Sequence, residues 1–247
     1  MKILTLNTWQ EKGPWQDRWA LTFQGMNRFH PEIAGFQELF NASWAQEIRK
    51  QGRFSNCIFA DEKCGNVLYS QYPVRSWGAV TLAKSPLEEY FRSVLWAELD
   101  IQGTRLFIFN THLSWMLEDG ATRAKQTMEI LHWMEEKAGR EASILMGDLN
   151  APPYSPEIKE LIQKGSFRDL YFEKHGDQKA HTWDNRNPYV ATAFHKLPDR
   201  RIDYILARGS GPLLKKLASC EVVFKEPSPE GVWASDHYGV LAEFKGV

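Results

Sequence analysis

Short apolar runs of strand length recur along the chain, and several end abruptly on a carboxylate, a carboxamide or an imidazole. Leu4-Thr5-Leu6 closes on Asn7, and Ala34-Gly35-Phe36 on Gln37-Glu38. Leu106-Phe107-Ile108-Phe109 closes on Asn110 and His112, and Ile144-Leu145-Met146-Gly147 on Asp148 and Asn150. Asp203 stands inside Arg201-Ile202-Asp203-Tyr204-Ile205-Leu206, while Asp236-His237 precede the final run at Val240. Residues two apart in an extended segment point the same way, so Asn110 goes with His112 and Asp148 with Asn150. If such strands lie side by side, their ends bring these groups into one cleft. Taken singly each residue has a plain reading: an Asp or Asn after a strand is usually a turn residue, and a lone His is usually at the surface or satisfied in the core. Asp203 is the exception, because an unpaired carboxylate within an apolar strand is costly and demands a partner.

The complete set of strand-like runs is Lys2–Leu6, Glu32–Phe36, Asn56–Ala60, Val67–Tyr69, Gly78–Leu82, Ser93–Ile101, Arg105–Thr111, Ser143–Met146, Ile202–Leu206, Cys220–Phe224 and Val240–Phe244. Helical periodicity alternates with some of them. Trp15, Trp19, Phe23 and Met26 share one helix face, and Ala121, Ala124, Met128, Leu131 and Ala138 are expected to share another within Gly120–Arg140. Helices between the early strands and hairpin-like strands later describe a mixed-sheet α/β protein. Periodicity does not distinguish two packed sheets from one. No repeat, low-complexity tract or linker divides the chain, which reads as a single domain over residues 1–247.

At 247 residues the chain can bury roughly three quarters of its unfolded surface without staples. Cys57, Cys64 and Cys220 form no CxxC pair and read as reduced thiols. Thirty basic residues face 31 acidic ones, and no Lys/Arg run exceeds two, so the basic surplus of a protein that grips long duplex nucleic acid is missing. Met1-Lys2 leads directly into a strand-like run, without an apolar leader. No stretch approaches the ~20 apolar residues of a membrane helix. A cytoplasmic location is expected.

Taken together, Leu6-Asn7-Thr8-Trp9, Phe36-Gln37-Glu38, Asn110-Thr111-His112-Leu113, Gly147-Asp148-Leu149-Asn150, Arg201-Ile202-Asp203-Tyr204 and Ser235-Asp236-His237 stand in the order of the DNase I-like endonuclease/exonuclease/phosphatase superfamily, which the chain resembles from first strand to last. The resemblance implies a four-layer α/β sandwich, two mixed sheets flanked by helices, and metal-dependent hydrolysis of a phosphate ester. Asn7, Glu38 and Asp236 are the implied metal ligands. All three are hard oxygen donors, suited to Mg²⁺ or Mn²⁺ rather than structural zinc. Asp148 is the implied water-orienting base with Asn150 beside it, His237 is held by Asp203, and His112 reaches the phosphoryl group. The residues alone do not decide between Asp148 and His237 as base, or between one metal and two.

Departures narrow the branch. Trp9 stands where many nuclease-type members carry Asp, and abasic-site endonucleases lack the His seen here as His112. Asn110-Thr111-His112-Leu113 followed by Arg123 and Gln126 is similar to neutral sphingomyelinases, and Thr182-Trp183-Asp184 with Asn187 to 5′-tyrosyl-DNA phosphodiesterases. Trp9, Trp115, Trp183 and Trp233 adjoin the motifs, either as loop packing or as an aromatic rim that stacks on substrate. Asn66, Asn110, Arg123, Trp115 and Trp183 are therefore candidate substrate contacts, with Arg92 an alternative phosphate contact. The expected activity is a phosphodiesterase acting on a phosphate ester. A DNA or RNA nuclease is the alternative, a catalytically silent binding protein is disfavoured, and the partner is open between a nucleic acid and a lipid head group. A monomer is expected.

Overall fold

A computed structural model describes residues 1–59, 63–190, 197–209 and 211–246. Two six-stranded mixed sheets pack face to face. The first runs in the order β11 (Leu217–Val223), β12 (Gly239–Phe244), β1 (Lys2–Asn7), β2 (Ile33–Gln37), β4 (Val67–Ser70), β3 (Asn56–Phe59). The second runs β5 (Val74–Thr81), β6 (Ser93–Ile101), β7 (Thr104–His112), β8 (Ser143–Asp148), β10 (Asp203–Arg208), β9 (Arg168–Asp169). Each sheet has a single parallel pair at its centre, β1 with β2 and β7 with β8. A parallel pair needs a crossover, and the crossovers are helices α1 (Trp15–Phe29) and α3 (Gly120–Ala138). Among the described residues the remaining α-helices are α2 (Ala42–Gln51), α4 (Pro156–Gly165) and α5 (Leu170–His175).

Three apolar layers hold the sandwich. Ile3, Leu68, Leu95, Ile108, Ile144, Met146, Ile205 and Phe244 fill the space between the sheets. Trp19, Met26, Ala45 and Ile48 of α1 and α2 cover Leu4, Leu6 and Phe36. Ile130, Met134, Ile158 and Leu161 of α3 and α4 cover Phe107, Phe109 and Leu145. The central strands are buried on both faces, as parallel strands under helices must be, so they read as continuous apolar runs. The four-layer expectation is met.

Local signals explain the element ends. The Asn41 side chain accepts hydrogen bonds from the Ser43 and Trp44 amides and starts α2, and the Asp169 side chain does the same for α5. Pro156 opens α4. Two expectations need correcting. The buried face of α3 is Arg123, Gln126, Thr127, Ile130, Met134 and Ala138, not the face through Ala121, Ala124, Met128 and Leu131. The polar members are accommodated because Arg123 and Gln126 hydrogen-bond the β7–α3 loop and Thr127 donates to the Ala124 carbonyl within the helix. β9 was not expected, and β5 begins four residues before the Gly78 assigned from periodicity. Ala60, the expected last residue of β3, lies outside the described residues.

Candidate active site

The two central parallel pairs end at the same edge of the sandwich. Asn7 pairs in register with Gln37 at the ends of β1 and β2, and His112 with Asp148 at the ends of β7 and β8. Asp203 opens β10 opposite Asp148. Asp236 and His237 enter on the loop before β12. Backbone turns at these ends are sharp. Trp9, Gln10, Glu38 and Asn150 have φ of 56°, 51°, 56° and 50°, a left-handed conformation costing a non-glycine residue roughly 1–2 kcal/mol. Each is therefore held by its surroundings. The buried Arg18 guanidinium donates to the carbonyls of Thr8 and Gln10 at 2.8 and 2.9 Å, and Asn150 donates its Nδ2 to the Leu113 carbonyl at 2.9 Å.

At the centre, Asn7 Nδ2 donates to Asp148 Oδ2 at 3.0 Å and to Glu38 Oε1 at 3.3 Å. Asn7 Oδ1 accepts from the Trp9 amide, so its oxygen would face a metal only if the amide turned over. The Asn150 amide donates to Asp148 Oδ1 at 2.9 Å. His112 Nε2 lies 3.4 Å and His237 Nε2 3.7 Å from Asp148 Oδ2. His237 Nδ1 meets Asp203 Oδ2 at 2.9 Å. Asp203 is fixed from behind by Thr182, whose hydroxyl accepts from the Ile202 and Asp203 amides. Ser235 Oγ donates to the Asn7 carbonyl at 2.7 Å and lies 3.2 Å from Asp236 Oδ1, which ties the Asp236 loop to the end of β1.

The electrostatics separate the two imidazoles. Burial alone would lower the pKa of His237, but the charges of Asp203, Asp148 and Asp236 outweigh it and raise the group to about 10. His237 is an imidazolium at neutral pH. His112 is pushed well below its ordinary value by burial, and then by Arg92 and the charged His237. His112 is neutral. Burial raises Asp148 to about 6, against the pull of His237. Burial raises Asp236 to about 7, with Glu38 adding to the rise.

Asp148, Asp203 and His237 offer ligand atoms within 4.8 Å of one another. The His237 imidazolium sits between the two carboxylates and offsets one of their two charges. Glu38 and Asp236 add two more carboxylates: burial is the main cause of the rise in Asp236, and Glu38 lies near enough for its charge to add to it. Hard oxygen donors crowded this way fit a divalent cation such as Mg²⁺.

The expected substrate contacts divide. Asn66 is buried, with Nδ2 anchored on Ser93 and Oδ1 without a hydrogen-bond partner. Trp115 is 39% exposed at the rim. Three expectations are corrected. Asn110 is fully buried and ties the sheets together, donating to the Phe36 and Val67 carbonyls and accepting from Gln37. Arg123 is spent internally, on Glu157 at 2.9 Å and on the Ser114 and Met116 carbonyls, because a buried guanidinium needs partners on all sides. Trp183 is 9% exposed and stands edge-on to His237 with ring centroids 5.0 Å apart, so it walls the imidazole instead of offering a face to substrate. Trp9 and Trp233 are buried too, stacked on Tyr189 and Tyr238. Arg92 is bound to Glu88 at 2.7 Å.

Sequence reading missed Arg18, Thr182 as a support for Asp203, Ser235 and Arg200. Arg18 carried a signal, a charge set between Trp15 and Trp19 on the apolar stripe of α1. Arg200 carried none beyond its place ahead of Arg201. Its half-buried guanidinium interacts with the charges of Asp148 and Asp203 and stacks on Trp183 at 5.8 Å, and its Nε has no hydrogen-bond partner.

A sandwich with this edge and these groups is that of a phosphoesterase superfamily, and the chain matches the Endonuclease/Exonuclease/phosphatase family over residues 4–237. It belongs to that family. It is 23% identical over 218 residues to a phospholipase C of Staphylococcus aureus, covering 79% of this chain and 61% of the relative. The chain thus spans about three fifths of the curated relatives it matches. In fold it is similar to D. rerio TDP2 complexed with a single-strand DNA product (TM-score 0.78, 18% identity, 100% of this chain and 99% of that one). It is also similar to a mannosyl-6-phosphatase of Bacteroides thetaiotaomicron (TM-score 0.76, 17% identity, 100% of both chains).

Proposed function

We propose that the chain is a divalent-metal-dependent phosphodiesterase that hydrolyses a P–O bond by in-line attack of water. The observation that carries this reading is the meeting of Asn7, Glu38, His112, Asp148, Asp203, Asp236 and His237 at one edge, with an imidazolium between Asp148 and Asp203 and with Glu38 adding its charge beside Asp236. Glu38 and Asp236 would hold the ion, while Asn7, expected as a third ligand, keeps its Nδ2 on Asp148 and Glu38 and so links the metal-holding carboxylate to the base. The ion would supply charge neutralisation on the phosphoryl oxygens.

The other groups are arranged for proton and charge handling. Asp148 is held at both oxygens, by Asn7 and by the Asn150 amide, in an orientation to accept a proton from water. Its raised pKa keeps it mostly ionised near neutrality yet basic enough for the task. His237 donates Nδ1–H to Asp203 and turns a charged Nε2–H toward the cleft, where developing phosphoryl charge is stabilised. Neutral His112, with Nε2 3.4 Å from Asp148 Oδ2, stands on the other side of the same carboxylate.

A diester of modest size is favoured over long duplex DNA by the near-neutral total charge. Retention on heparin resin at moderate salt would favour a nuclease instead. Action in the cytoplasm as a monomer belongs to the same proposal, supported by cysteine usage and by the absence, among the described residues, of a helix long and apolar enough to cross a membrane. The test is turnover of a panel of phosphodiesters, phosphomonoesters, sphingomyelin and oligonucleotides with Mg²⁺ or Mn²⁺. Preference for a monoester over every diester would overturn the assignment to diesters.

A further inference from the structure

A groove of about 1190 Å³ opens beside the catalytic edge, between the loop after Asn150, the end of α5 and the segment leading to Thr182. Arg200 lines it and also interacts with the charges of Asp148 and Asp203, so groove and catalytic cluster share a wall. Tyr154 and Phe172 line the same groove at 69% and 53% exposure, far more than packing requires. Lys159 and Lys179 line it with no ion pair or hydrogen bond to their ammonium groups among the described residues, Arg168 and Arg201 are paired with Glu173 and Asp169, and of the two remaining carboxylates Asp199 is held by Asn185 and only Asp177 stands against the two lysines and Arg200.

Exposed rings with unpaired cations select a ligand that is flat and anionic: rings stack, and ammonium and guanidinium groups meet the charge. An acyl chain would leave the cations unused. We propose that this groove is a subsite for the part of the substrate beyond the scissile phosphorus, and that it takes a ring-bearing anionic group. The ring lies against Tyr154 and Phe172, and the anion reaches Lys159, Lys179 or Arg200. The proposal rests on the phosphodiesterase reading and names the substrate class of that site. The shared chemistry is that of a nucleotide or of an aryl phosphate.

The test is calorimetric binding, in EDTA, of adenosine 5′-monophosphate, 4-nitrophenyl phosphate, adenosine, inorganic phosphate and phosphatidylcholine vesicles to the whole chain. Adenosine 5′-monophosphate, 4-nitrophenyl phosphate or both should bind at least about ten-fold tighter than adenosine or phosphate, and the tighter of the two identifies the source. The Tyr154→Ser/Phe172→Ser double variant should weaken the tighter ligand about ten-fold while phosphate binding holds, since stacking of one ring is worth that much, and the Lys159→Glu/Lys179→Glu double variant should weaken the tighter ligand while leaving adenosine binding unchanged. All substituted positions lie at the surface, and an unchanged melting temperature confirms folding. Equal affinity for the ring-bearing anions and for phosphate, unchanged binding by the ring variant, or tighter binding to vesicles would each overturn the subsite. Hydrolysis of bis(4-nitrophenyl) phosphate by the wild type tells the two readings apart. If it proceeds, only the groove has failed; if no diester is turned over, the phosphodiesterase reading has failed by itself.

Discussion

Asp203→Asn keeps the size of the side chain and removes the charge that holds His237. Because Nδ1 meets Asp203 at 2.9 Å, kcat should fall at least about a hundred-fold, the scale of a positioned acid–base group. His237→Ala should cost as much, and the double variant little more, since residues that act as a unit are non-additive. A near-normal kcat per folded molecule in Asp203→Asn would refute the pair. Arg201 cannot be the partner of Asp203, because it is bound to Asp169. The pH profile follows from the same cluster. Asp148 acts as acceptor only when ionised, and burial holds it at about 6, so kcat/KM should rise with pH up to about 6 and level off above it. A profile flat down to pH 5 would contradict that role. The Asp203–His237 pair was legible in sequence, since a carboxylate in an apolar strand announces a partner. The roles of Arg123 and Arg200 were not, because the partner of a cation is fixed by segments remote in the chain: Arg123 met a glutamate 34 residues away.

Among elements, the strands were legible because the central ones are buried on both faces and stay apolar throughout. β9 was invisible because two residues carry no period. The face of α3 was misread because three of its buried residues are polar and become acceptable only through bonds that periodicity does not show: Gln126 bonds Ser114 and Ala83, Arg123 the 114–117 loop, and Thr127 the Ala124 carbonyl. Arg123→Met should therefore strand the buried Glu157 and cost about 3–5 kcal/mol in urea denaturation. A loss under 1 kcal/mol would show the pair to be dispensable. Gly147 joins β7 to β8 at φ 135°, where an added Cβ would come within 1.9 Å of the Thr111 carbonyl oxygen. Gly147→Ala should cost at least about 3 kcal/mol and move Asp148 with it. A stable variant with full activity would contradict the tight strand approach that sets His112 beside Asp148.

For the whole molecule, the two sheets repeat one plan, a central parallel pair bridged by a helix, and the active edge forms where the two plans meet. Periodicity could not distinguish two sheets from one. The pairing that joins them runs through Gln37 and Asn110, polar residues whose hydrogen bonds show only in three dimensions. What this architecture concentrates at its edge is negative charge. Burial holds the Asp236 carboxyl at about 7 and the Glu38 charge adds to the rise, a state that a divalent cation would relieve. The most direct measurement is hydrolysis of bis(4-nitrophenyl) phosphate by protein stripped with EDTA, before and after Mg²⁺ or Mn²⁺ is restored, alongside Glu38→Ala. The wild type should be silent when stripped, recover with the ion and gain melting temperature with it, while Glu38→Ala should show little of either gain. Full turnover by the stripped protein would contradict the metal-dependent mechanism.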